Sequence, residues 1–372
     1  MTQHYETIVI GAGVIGSSIA YHLSRRGRRV LLLEQETIAC KASSAAAGML
    51  GAQSELKADG SPLFELAKES RAMFPDLADD LKMYSGMDIS LKQQGIYKIA
   101  RNEEEKRELR HYGELQRQSG QNAEWLEAEE LQIREPAVSS QLTGGLFLPD
   151  DGQVSAPDLS RAFALSAIEL GTTLKEYTKV QSLLIKGDSI SGVSTNGGEY
   201  QANEVVIACG AWSEEVLGEA LDTYPVKGEC FSVNTKRNLI SGTLFSKDCY
   251  IVPKSGGRLV VGATEQPGTY DETVTLGGVF PLIKEAIRLL PELAYAEWES
   301  AWTGLRPQTR NETPVLGPHP DYRNLFLATG HYRNGILLSP ITGKLIADMI
   351  EGTPVPEQWI TTATTINQGG VL

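Results

Sequence analysis

The sequence predicts an α/β fold with two domains, one built on a parallel sheet and a second, α+β domain built on a mainly antiparallel sheet. Three observations predict it. Residues 5–34 are patterned as strand, glycine-rich turn, helix and strand, the unit from which parallel sheets are built. Two later strands, near residues 205 and 325, also run into a glycine. Other segments alternate apolar and polar residues, as antiparallel strands do.

Composition limits the class of protein. A length of 372 residues with 41% hydrophobic residues is enough for two domains, and the formal charge of −13 argues against a nucleic-acid partner. No stretch approaches a membrane span, and no charged leader with a cleavage site precedes the first strand, so we expect no membrane association and a cytoplasmic location. The four cysteines lack metal or disulfide spacing and are expected to be reduced, with no metal site.

Gly11, Gly13 and Gly16 form the pattern G-x-G-x-x-G between a buried strand at residues 5–11 and a helix predicted over residues 14–24. Gly11 allows the tight turn, Gly13 lets the backbone approach a pyrophosphate, and Gly16 lets the helix pack closely on the strand. The helix N-terminus directs free N–H groups and the positive end of its dipole at the anion. The pattern predicts dinucleotide binding.

A second strand, residues 29–34, ends in Glu34, where a carboxylate is expected to hold the adenosine ribose. Strand, fingerprint, helix, strand and terminal acid together are a specific signal, whereas a single G-x-G-x-x-G is not. The fingerprint by itself does not separate NAD from FAD.

The rest of the chain favours a flavin. Instead of continuing a βαβ series, it enters a run of small residues, Ser43–Met49, which either lies against a large ligand or starts an Ala-rich helix. Strands ending at Gly210 and Gly330 return to the first sheet, and an amphipathic stretch over residues 341–350 follows the second of them. A helix N-terminus there can stabilise negative charge on the flavin N1 and C2 carbonyl.

These returns predict a discontinuous FAD-binding domain formed by residues 1–85, 150–225 and 300–372. The remaining segments, 86–149 and 226–299, are predicted to form the substrate-binding domain, with a largely antiparallel sheet over the flavin. Its strand-like runs are residues 95–100, 229–233, 250–253 and 258–262.

Several motifs carry a family resemblance over nearly the whole chain. Besides the fingerprint they are Ser44–Ala52, Pro225–Cys230, Cys249–Pro253, Arg258–Thr264, Gly304–Pro307 and Gly330–Leu338. With these motifs the sequence resembles the bacterial glycine oxidases of thiamine biosynthesis. They are amine-oxidising flavoproteins of the D-amino-acid oxidase and sarcosine oxidase superfamily.

The resemblance implies FAD-dependent oxidative deamination of glycine, and of sarcosine and small D-amino acids such as D-alanine. The products are the imine, then glyoxylate or another 2-oxo acid with ammonia or a primary amine, while oxygen is reduced to hydrogen peroxide. It implies hydride transfer to flavin N5 with no dedicated catalytic side chain, and a homotetramer. Two alternatives stay open: a D-amino-acid or sarcosine dehydrogenase that passes electrons to an acceptor other than oxygen, and a flavin-binding subunit without its own substrate.

By the same resemblance FAD is bound noncovalently, since no cysteine lies beyond Cys249 to attach it. The implied FAD-binding residues, in addition to the three fingerprint glycines, are Val14, Ile15, Glu34, Gln35, Ala42, Ser43, Ala47, Gly48, Met49, Val180, His331, Tyr332, Arg333, Asn334, Gly335, Ile336 and Leu337.

For the substrate, the resemblance implies that Arg306 binds the carboxylate, that Tyr250 donates its hydroxyl to the same group, and that Arg333 lies near the reactive face of the flavin. A planar guanidinium is suited to gripping a carboxylate through two hydrogen bonds. The chain departs from the family at Asp248, where a histidine is expected, and at Glu265, where a methionine is expected. An extra carboxylate at this entrance either disfavours anionic substrates or is a solvated loop residue without a role.

Overall fold

A computed structural model describes residues 4–56 and 60–361 of the chain. Its strands are β1 (His4–Ile10), β2 (Val30–Leu33), β3 (Met49–Leu50), β4 (Ile96–Ala100), β5 (Glu124–Glu127), β6 (Gly144–Leu148), β7 (Gly152–Gln153), β8 (Thr173–Lys175), β9 (Val180–Lys186), β10 (Ser189–Thr195), β11 (Gly198–Ile207), β12 (Thr223–Asn234), β13 (Thr243–Phe245), β14 (Tyr250–Pro253), β15 (Arg258–Gly262), β16 (Gln266–Pro267), β17 (Glu297–Thr309), β18 (Val315–Pro318) and β19 (Leu325–Thr329). Its α-helices are α1 (Val14–Ser24), α2 (Ala42–Ala45), α3 (Ala52–Glu55), α4 (Pro62–Ala72), α5 (Phe74–Ser85), α6 (Glu103–Gln118), α7 (Ala128–Arg134), α8 (Ala156–Glu169), α9 (Ser213–Leu217), α10 (Leu276–Leu289) and α11 (Gly335–Ile350).

The first sheet has the strand order β18-β19-β11-β1-β2-β8, and β9 and β10 extend it as a hairpin beside β11. The pairs β19–β11, β11–β1, β1–β2 and β2–β8 are parallel. The predicted returns of the chain to this sheet, near residues 205 and 325, are therefore confirmed as β11 and β19. Their carboxyl ends meet that of β1 at one edge of the sheet.

Strand β1 is buried on both faces, as its unbroken apolar run predicts. Val9 contributes to a core shared with α1, α8 and α11, whereas Ile8 and Ile10 contribute to the core on the opposite face. Successive side chains of a strand point to opposite faces, so the sheet is the middle of three layers. Helix α1 begins at Val14 and ends at Ser24, at the predicted bounds.

The second sheet has nine strands, and every pair is antiparallel except β13 with β4. The prediction of a largely antiparallel sheet is confirmed. Strand β17 pairs with β12 along its whole length, from Thr223 opposite Thr309 to Asn234 opposite Glu297. The predicted domain boundary between residues 299 and 300 therefore falls inside a strand of this sheet, because a strand this long was not recognised in the sequence.

The glycine fingerprint brings α1 against β1. A Cβ atom on Gly16 would lie 1.9 Å from the carbonyl oxygen of Gly11, so any side chain there would push the helix away from the turn. Gly11 itself has φ +96°, a conformation that only glycine adopts without strain. The first turn of α1 is thereby held at the carboxyl edge of the first sheet.

Helix α11 begins at Gly335, earlier than the amphipathic stretch predicted from Ile341, because Pro340 is accommodated inside the helix. Proline has no N–H to donate to the carbonyl of Ile336, and the hydroxyl of Ser339 donates to it instead, at 2.9 Å. At the next residue, Ser70 of α4 donates to the carbonyl of Leu337 at 2.6 Å. These hydroxyls replace the backbone bonds that proline disturbs.

Close packing of α11 on α1 depends on Gly343. A Cβ atom there would lie 2.3 Å from the hydroxyl oxygen of Ser18 and 2.7 Å from the ring of His22. Ser18 also donates to the carbonyl of Ser339 at 2.7 Å, so the two helices are joined by a hydrogen bond where they approach.

In the described part of the chain, no helix is both long and apolar enough to cross a membrane.

His331 fixes the turn that leads into α11. Its Nε2 lies 3.1 Å from the hydroxyl of Thr342, and the side chain is buried. Burial lowers the pKa of His331 to about 4, so the imidazole is neutral at physiological pH.

We predict that Gly343→Ala lowers the free energy of unfolding by about 1 to 3 kcal/mol, because the added methyl group overpacks the α1–α11 contact. Gly277→Ala is the matched control, since no atom lies within 4 Å of a Cβ built on this helical glycine. Urea denaturation of both variants measures the difference. Equal stability of the two variants would contradict the packing role of Gly343.

We also predict that His331 makes the protein less stable in acid. The unfolded chain takes up a proton near pH 6.5 and the folded chain only near pH 4, so stability is lost as the pH falls through this interval. Between pH 7 and pH 5 this group accounts for about 2 kcal/mol. His331→Gln, which can still bond Thr342, should reduce the loss by that amount in urea denaturation at the two pH values. If the free energy of unfolding of the variant falls by the same amount between pH 7 and pH 5, His331 is not the cause of the acid sensitivity.

Candidate active site

A cavity lies where the carboxyl edge of the first sheet faces the second sheet. Its walls include the ends of β1, β2, β11 and β19 on one side and residues of β12, β14 and β17 on the other. In α/β proteins, ligands bind outside the carboxyl ends of the parallel strands, which is where this cavity is. Nearly all the predicted site residues line it.

The fingerprint glycines form one wall. Gly11 and Gly13 line the cavity together with Val14 and Ile15 of the first turn of α1. A Cβ atom on Gly11 would lie 2.6 Å from the carbonyl oxygen of Ala208, so the turn fits only with glycine. The first-turn N–H groups of a helix have no partners within it, and those that no other side chain binds are available to an anion.

Gly16 does not line the cavity, in keeping with its predicted packing role. Glu34 at the end of β2 does line it. One carboxylate oxygen of Glu34 accepts the N–H of Ala12 at 2.8 Å, and the other accepts the N–H of Glu36 at 3.0 Å. These bonds hold the carboxylate next to the glycine turn.

The small-residue run contains a short helix, as one interpretation of its sequence predicts, and it also lines the cavity. Helix α2 occupies Ala42–Ala45, and Ala47, Gly48 and Met49 continue along the cavity wall. Gly48 has φ +84°, and a Cβ atom there would lie 2.0 Å from the carbonyl oxygen of Val154. Lys254 holds the segment from behind, donating to the carbonyls of Ala47 at 2.7 Å and Val154 at 2.9 Å.

Ser43 connects this run to the fingerprint. Its hydroxyl accepts the N–H of Val14 at 2.9 Å and lies 3.2 Å from where a Cβ atom of Gly13 would be. Gln35, Ala42 and Val180 also line the cavity. The predicted binding residues from distant parts of the chain are thus neighbours in the structure.

Arg306 projects from β17 across the neighbouring strand β12. A Cβ atom on Gly228 would lie 2.4 Å from Nη2 of Arg306, so the guanidinium lies directly on the backbone of that strand. Among the described residues, its one hydrogen-bond partner is the carbonyl of Thr264, to which Nη1 donates at 3.2 Å. Within residues 4–56 and 60–361, no carboxylate forms an ion pair with it.

Tyr250 of β14 lies on the same wall and is buried. Its hydroxyl is 3.5 Å from the sulfur of Cys230, a weak partner. Burial raises the pKa of Tyr250 well above its usual value, so the phenol keeps its proton at physiological pH. A neutral hydroxyl of this kind can donate to an anion beside Arg306.

Arg333 differs from Arg306 because two carboxylates hold it. Its Nε lies 2.9 Å from Glu55, and its Nη1 lies 2.8 Å from Glu265. Burial opposes the charge on Arg333, but Glu55 and Glu265 outweigh it and hold the pKa of the guanidinium above its usual value. Asp248, the other departure from the family pattern, pairs with Arg101 instead.

The segment before α11 completes the cavity. His331, Tyr332, Asn334, Gly335 and Ile336 line it, as Arg333 does. Of these, Asn334 has its side-chain oxygen buried with no hydrogen-bond partner in the described part of the chain. Buried polar atoms are normally paired, so this oxygen is suited to a ligand donor.

Leu337 is the exception in this segment, because its side chain is buried in the core and does not line the cavity.

Lys227 also lies outside the cavity wall and pairs with Asp271 at 2.9 Å. Among the described residues, one group of side chains has the spacing of metal ligands, and none of its members lines the cavity. They are Glu219, His319 and Asp321.

Sequence reasoning missed some lining residues, among them Glu55, Trp212, Gly228 and Cys230. Only Gly228 carried a signal, since a glycine inside a buried strand often marks a close approach. Glu55 carried none, because its role depends on an arginine far away in the sequence.

Comparison with known proteins gives consistent matches. The family described as FAD-dependent oxidoreductase, or DAO, matches residues 6–349. A glycine oxidase of Geobacillus kaustophilus is 47% identical over 94% of this chain and 94% of its own length. The bifunctional protein ThiO/ThiG of Synechocystis is 35% identical over 93% of this chain and 51% of its own length.

Solved structures agree with these matches. The crystal structure of the Geobacillus kaustophilus glycine oxidase aligns with a TM-score of 0.92 at 46% identity, over 95% of this chain and 96% of that one. The glycine oxidase of Bacillus cereus aligns with a TM-score of 0.91 at 42% identity, over 95% and 97%. The resemblance, the predicted fold class and the predicted FAD dependence are confirmed, and the chain belongs to the DAO family of FAD-dependent oxidoreductases.

Proposed function

We propose that this chain catalyses the FAD-dependent oxidative deamination of glycine to glyoxylate and ammonia, with oxygen reduced to hydrogen peroxide. The observation that carries the proposal is Arg306, a cavity-lining guanidinium without a carboxylate partner in the described residues, beside the neutral hydroxyl of Tyr250. The relatives named glycine oxidase support glycine as the substrate.

FAD fits the cavity residues. Gly11, Gly13 and the first turn of α1 would take the pyrophosphate, and Glu34 would accept a ribose hydroxyl; their positions on the cavity wall support these roles. The other residues proposed to contact the cofactor are Val14, Ile15, Gln35, Ala42, Ser43, Ala47, Gly48, Met49, Val180, His331, Tyr332, Asn334, Gly335 and Ile336. When bound, the isoalloxazine ring supplies the acceptor for the two electrons that leave the substrate.

Arg306 and Tyr250 orient the amino acid. The guanidinium binds the carboxylate, and the hydroxyl donates a hydrogen bond to it, so the Cα–N bond is held in one position. The reaction needs no acid or base from these two side chains, because the ammonium proton passes to solvent. Positioning is therefore the main contribution of the protein.

The overall conversion takes glycine, oxygen and water to glyoxylate, ammonia and hydrogen peroxide. Two electrons and the Cα hydrogen leave the substrate, the Cα–N bond becomes an imine, and water hydrolyses the imine. We extend the proposal to sarcosine and D-alanine, which present the same carboxylate and amine.

The related ThiO/ThiG proteins support a role in forming the thiazole of thiamine. We also propose noncovalent FAD, a homotetramer and a cytoplasmic location.

The test is oxygen uptake and peroxide formation by the purified, FAD-loaded protein with glycine, sarcosine, D-alanine and L-alanine. Peroxide formed in equal amount to the oxygen consumed with glycine supports the oxidase. Flavin bleaching by glycine without oxygen consumption would contradict the oxidase and would indicate a dehydrogenase. No bleaching by any of the four would reject an amino-acid substrate of this kind.

We predict that Arg306→Ala raises the KM for glycine by roughly 30-fold or more, as expected from losing about 2 kcal/mol or more of a charged contact. FAD should be retained, since no predicted cofactor contact is removed. Arg310→Ala, at an exposed arginine paired with Asp222 at 3.3 Å, is the control and should leave the KM unchanged. Steady-state kinetics and the flavin absorbance measure both effects.

We predict that Gly228→Ala lowers kcat/KM for glycine by roughly 10- to 100-fold, because the new methyl group displaces the guanidinium of Arg306. The fold should persist, since the atoms in the way belong to the end of a flexible side chain. Unaltered kinetics would show that Arg306 does not act from its observed position. Gly277→Ala again serves as the control.

A further inference from the structure

The cavity contains two arginines whose surroundings are opposite. Arg306 has a carbonyl oxygen as its recorded partner, whereas every guanidinium nitrogen of Arg333 faces a carboxylate. Glu55 takes Nε and Nη2, at 2.9 and 3.4 Å, and Glu265 takes Nη1 at 2.8 Å. The guanidinium of Arg306 can therefore bind a ligand carboxylate without breaking an ion pair, whereas that of Arg333 is already paired with two carboxylates.

The two carboxylates reach Arg333 from different parts of the fold. Glu55 is the last residue of α3 and has a side chain only 9% exposed, whereas Glu265 follows β15 and has a side chain 48% exposed. Glu265 is therefore at the solvent side of the pair. Arg333 contributes both to the cavity wall and to an adjoining surface depression, and Glu265 lines that depression.

The neighbours of Glu265 tie it to the substrate side of the cavity. Thr264, the preceding residue, accepts the hydrogen bond from Arg306, so consecutive residues contact the two arginines. Burial, and then the charge of Glu265, raise the pKa of Tyr332, which places this carboxylate beside another cavity-lining side chain. A substituent that extends from a bound amino acid toward Arg333 would approach this carboxylate, which lies on the solvent side of Arg333.

We propose that Glu265 is a specificity-determining residue: with Glu55 it occupies Arg333, so the site accepts one carboxylate, on Arg306, and disfavours substrates that carry a second acidic group. The kinetic test of this inference rests on the proposed function, because it measures turnover of amino-acid substrates. Glu55 and Glu265 together more than offset the charge of Arg333 itself, and each nitrogen of its guanidinium already donates to one of them. A second substrate carboxylate would be repelled by Glu265 and would have to compete with Glu55 and Glu265 for Arg333.

The test compares two N-substituted glycines. Iminodiacetate carries a second carboxylate on the nitrogen substituent, and N-ethylglycine carries an uncharged substituent of similar reach. In Glu265→Gln the negative charge is removed, and the amide oxygen that remains is a weaker, uncharged acceptor for Nη1 of Arg333. We expect the ratio of kcat/KM for iminodiacetate to that for N-ethylglycine to rise on the order of tenfold, with glycine kinetics within about twofold.

Asp248→Asn is the matched control. Asp248 lines the same surface depression and the substitution removes the same charge, but its partner is Arg101 rather than Arg333. The substrate ratio should not change in this variant. An equal rise in both variants would show a general field effect and overturn the specific role of Glu265.

A binding measurement makes the result independent of turnover. Oxydiacetate and methoxyacetate lack the amine that is oxidised and differ by one carboxylate, and calorimetry on the FAD-loaded protein gives their Kd values. Glu265→Gln should tighten oxydiacetate about tenfold and leave methoxyacetate unchanged. No change in either the binding or the kinetic ratio, with glycine still oxidised, would overturn this inference and leave the proposed function standing. If unaltered protein does not oxidise glycine, the proposed function fails and the oxydiacetate comparison tests the inference alone.

Discussion

A guanidinium held without a carboxylate partner is the constraint on which the site depends. Arg306 is only partly exposed, and its one hydrogen-bond partner in the described part of the chain is the carbonyl of Thr264, which does not balance its charge. The protein keeps it in place by shape, since Gly228 leaves room for the guanidinium on strand β12. In the proposed function, a substrate carboxylate would supply the missing partner, and this is the reason we propose a small amino acid for the site. The charge of Arg333 is already compensated by Glu55 and Glu265, so it does not require a ligand carboxylate.

Close backbone packing builds the rest of the cavity. Gly11 and Gly16 bring α1 to the end of β1, and Gly48 brings the small-residue run against Val154. Each contact is too short for a side chain, so the main chain of neighbouring segments approaches closely at these positions. Helix α11 is held against the same layer through Gly343 and its hydroxyl contacts. A large planar cofactor can therefore lie along main chain from several distant segments.

Much of this was predictable from local patterns. The fingerprint, the bounds of α1 and the strands returning at β11 and β19 follow from apolar runs and glycine positions, which act over a few residues. The early start of α11 did not follow, because Ser339 and Ser70 compensate for Pro340 through contacts that no local pattern shows. The pairing of Arg333 with Glu55 and Glu265 was also hidden, since it joins three segments that only the tertiary fold brings together. Arg306 was found through its motif rather than through its environment.

The most direct measurement is a crystal structure of the FAD-loaded protein with glycolate, a hydroxy acid that resembles glycine and lacks its amine. If Arg306 and Tyr250 bind the substrate, the glycolate carboxylate will lie within hydrogen-bond distance of Arg306 and of the Tyr250 hydroxyl, with Arg333 still held by Glu55 and Glu265. A carboxylate bound to Arg333, or an Arg306 that contacts no ligand, would contradict it.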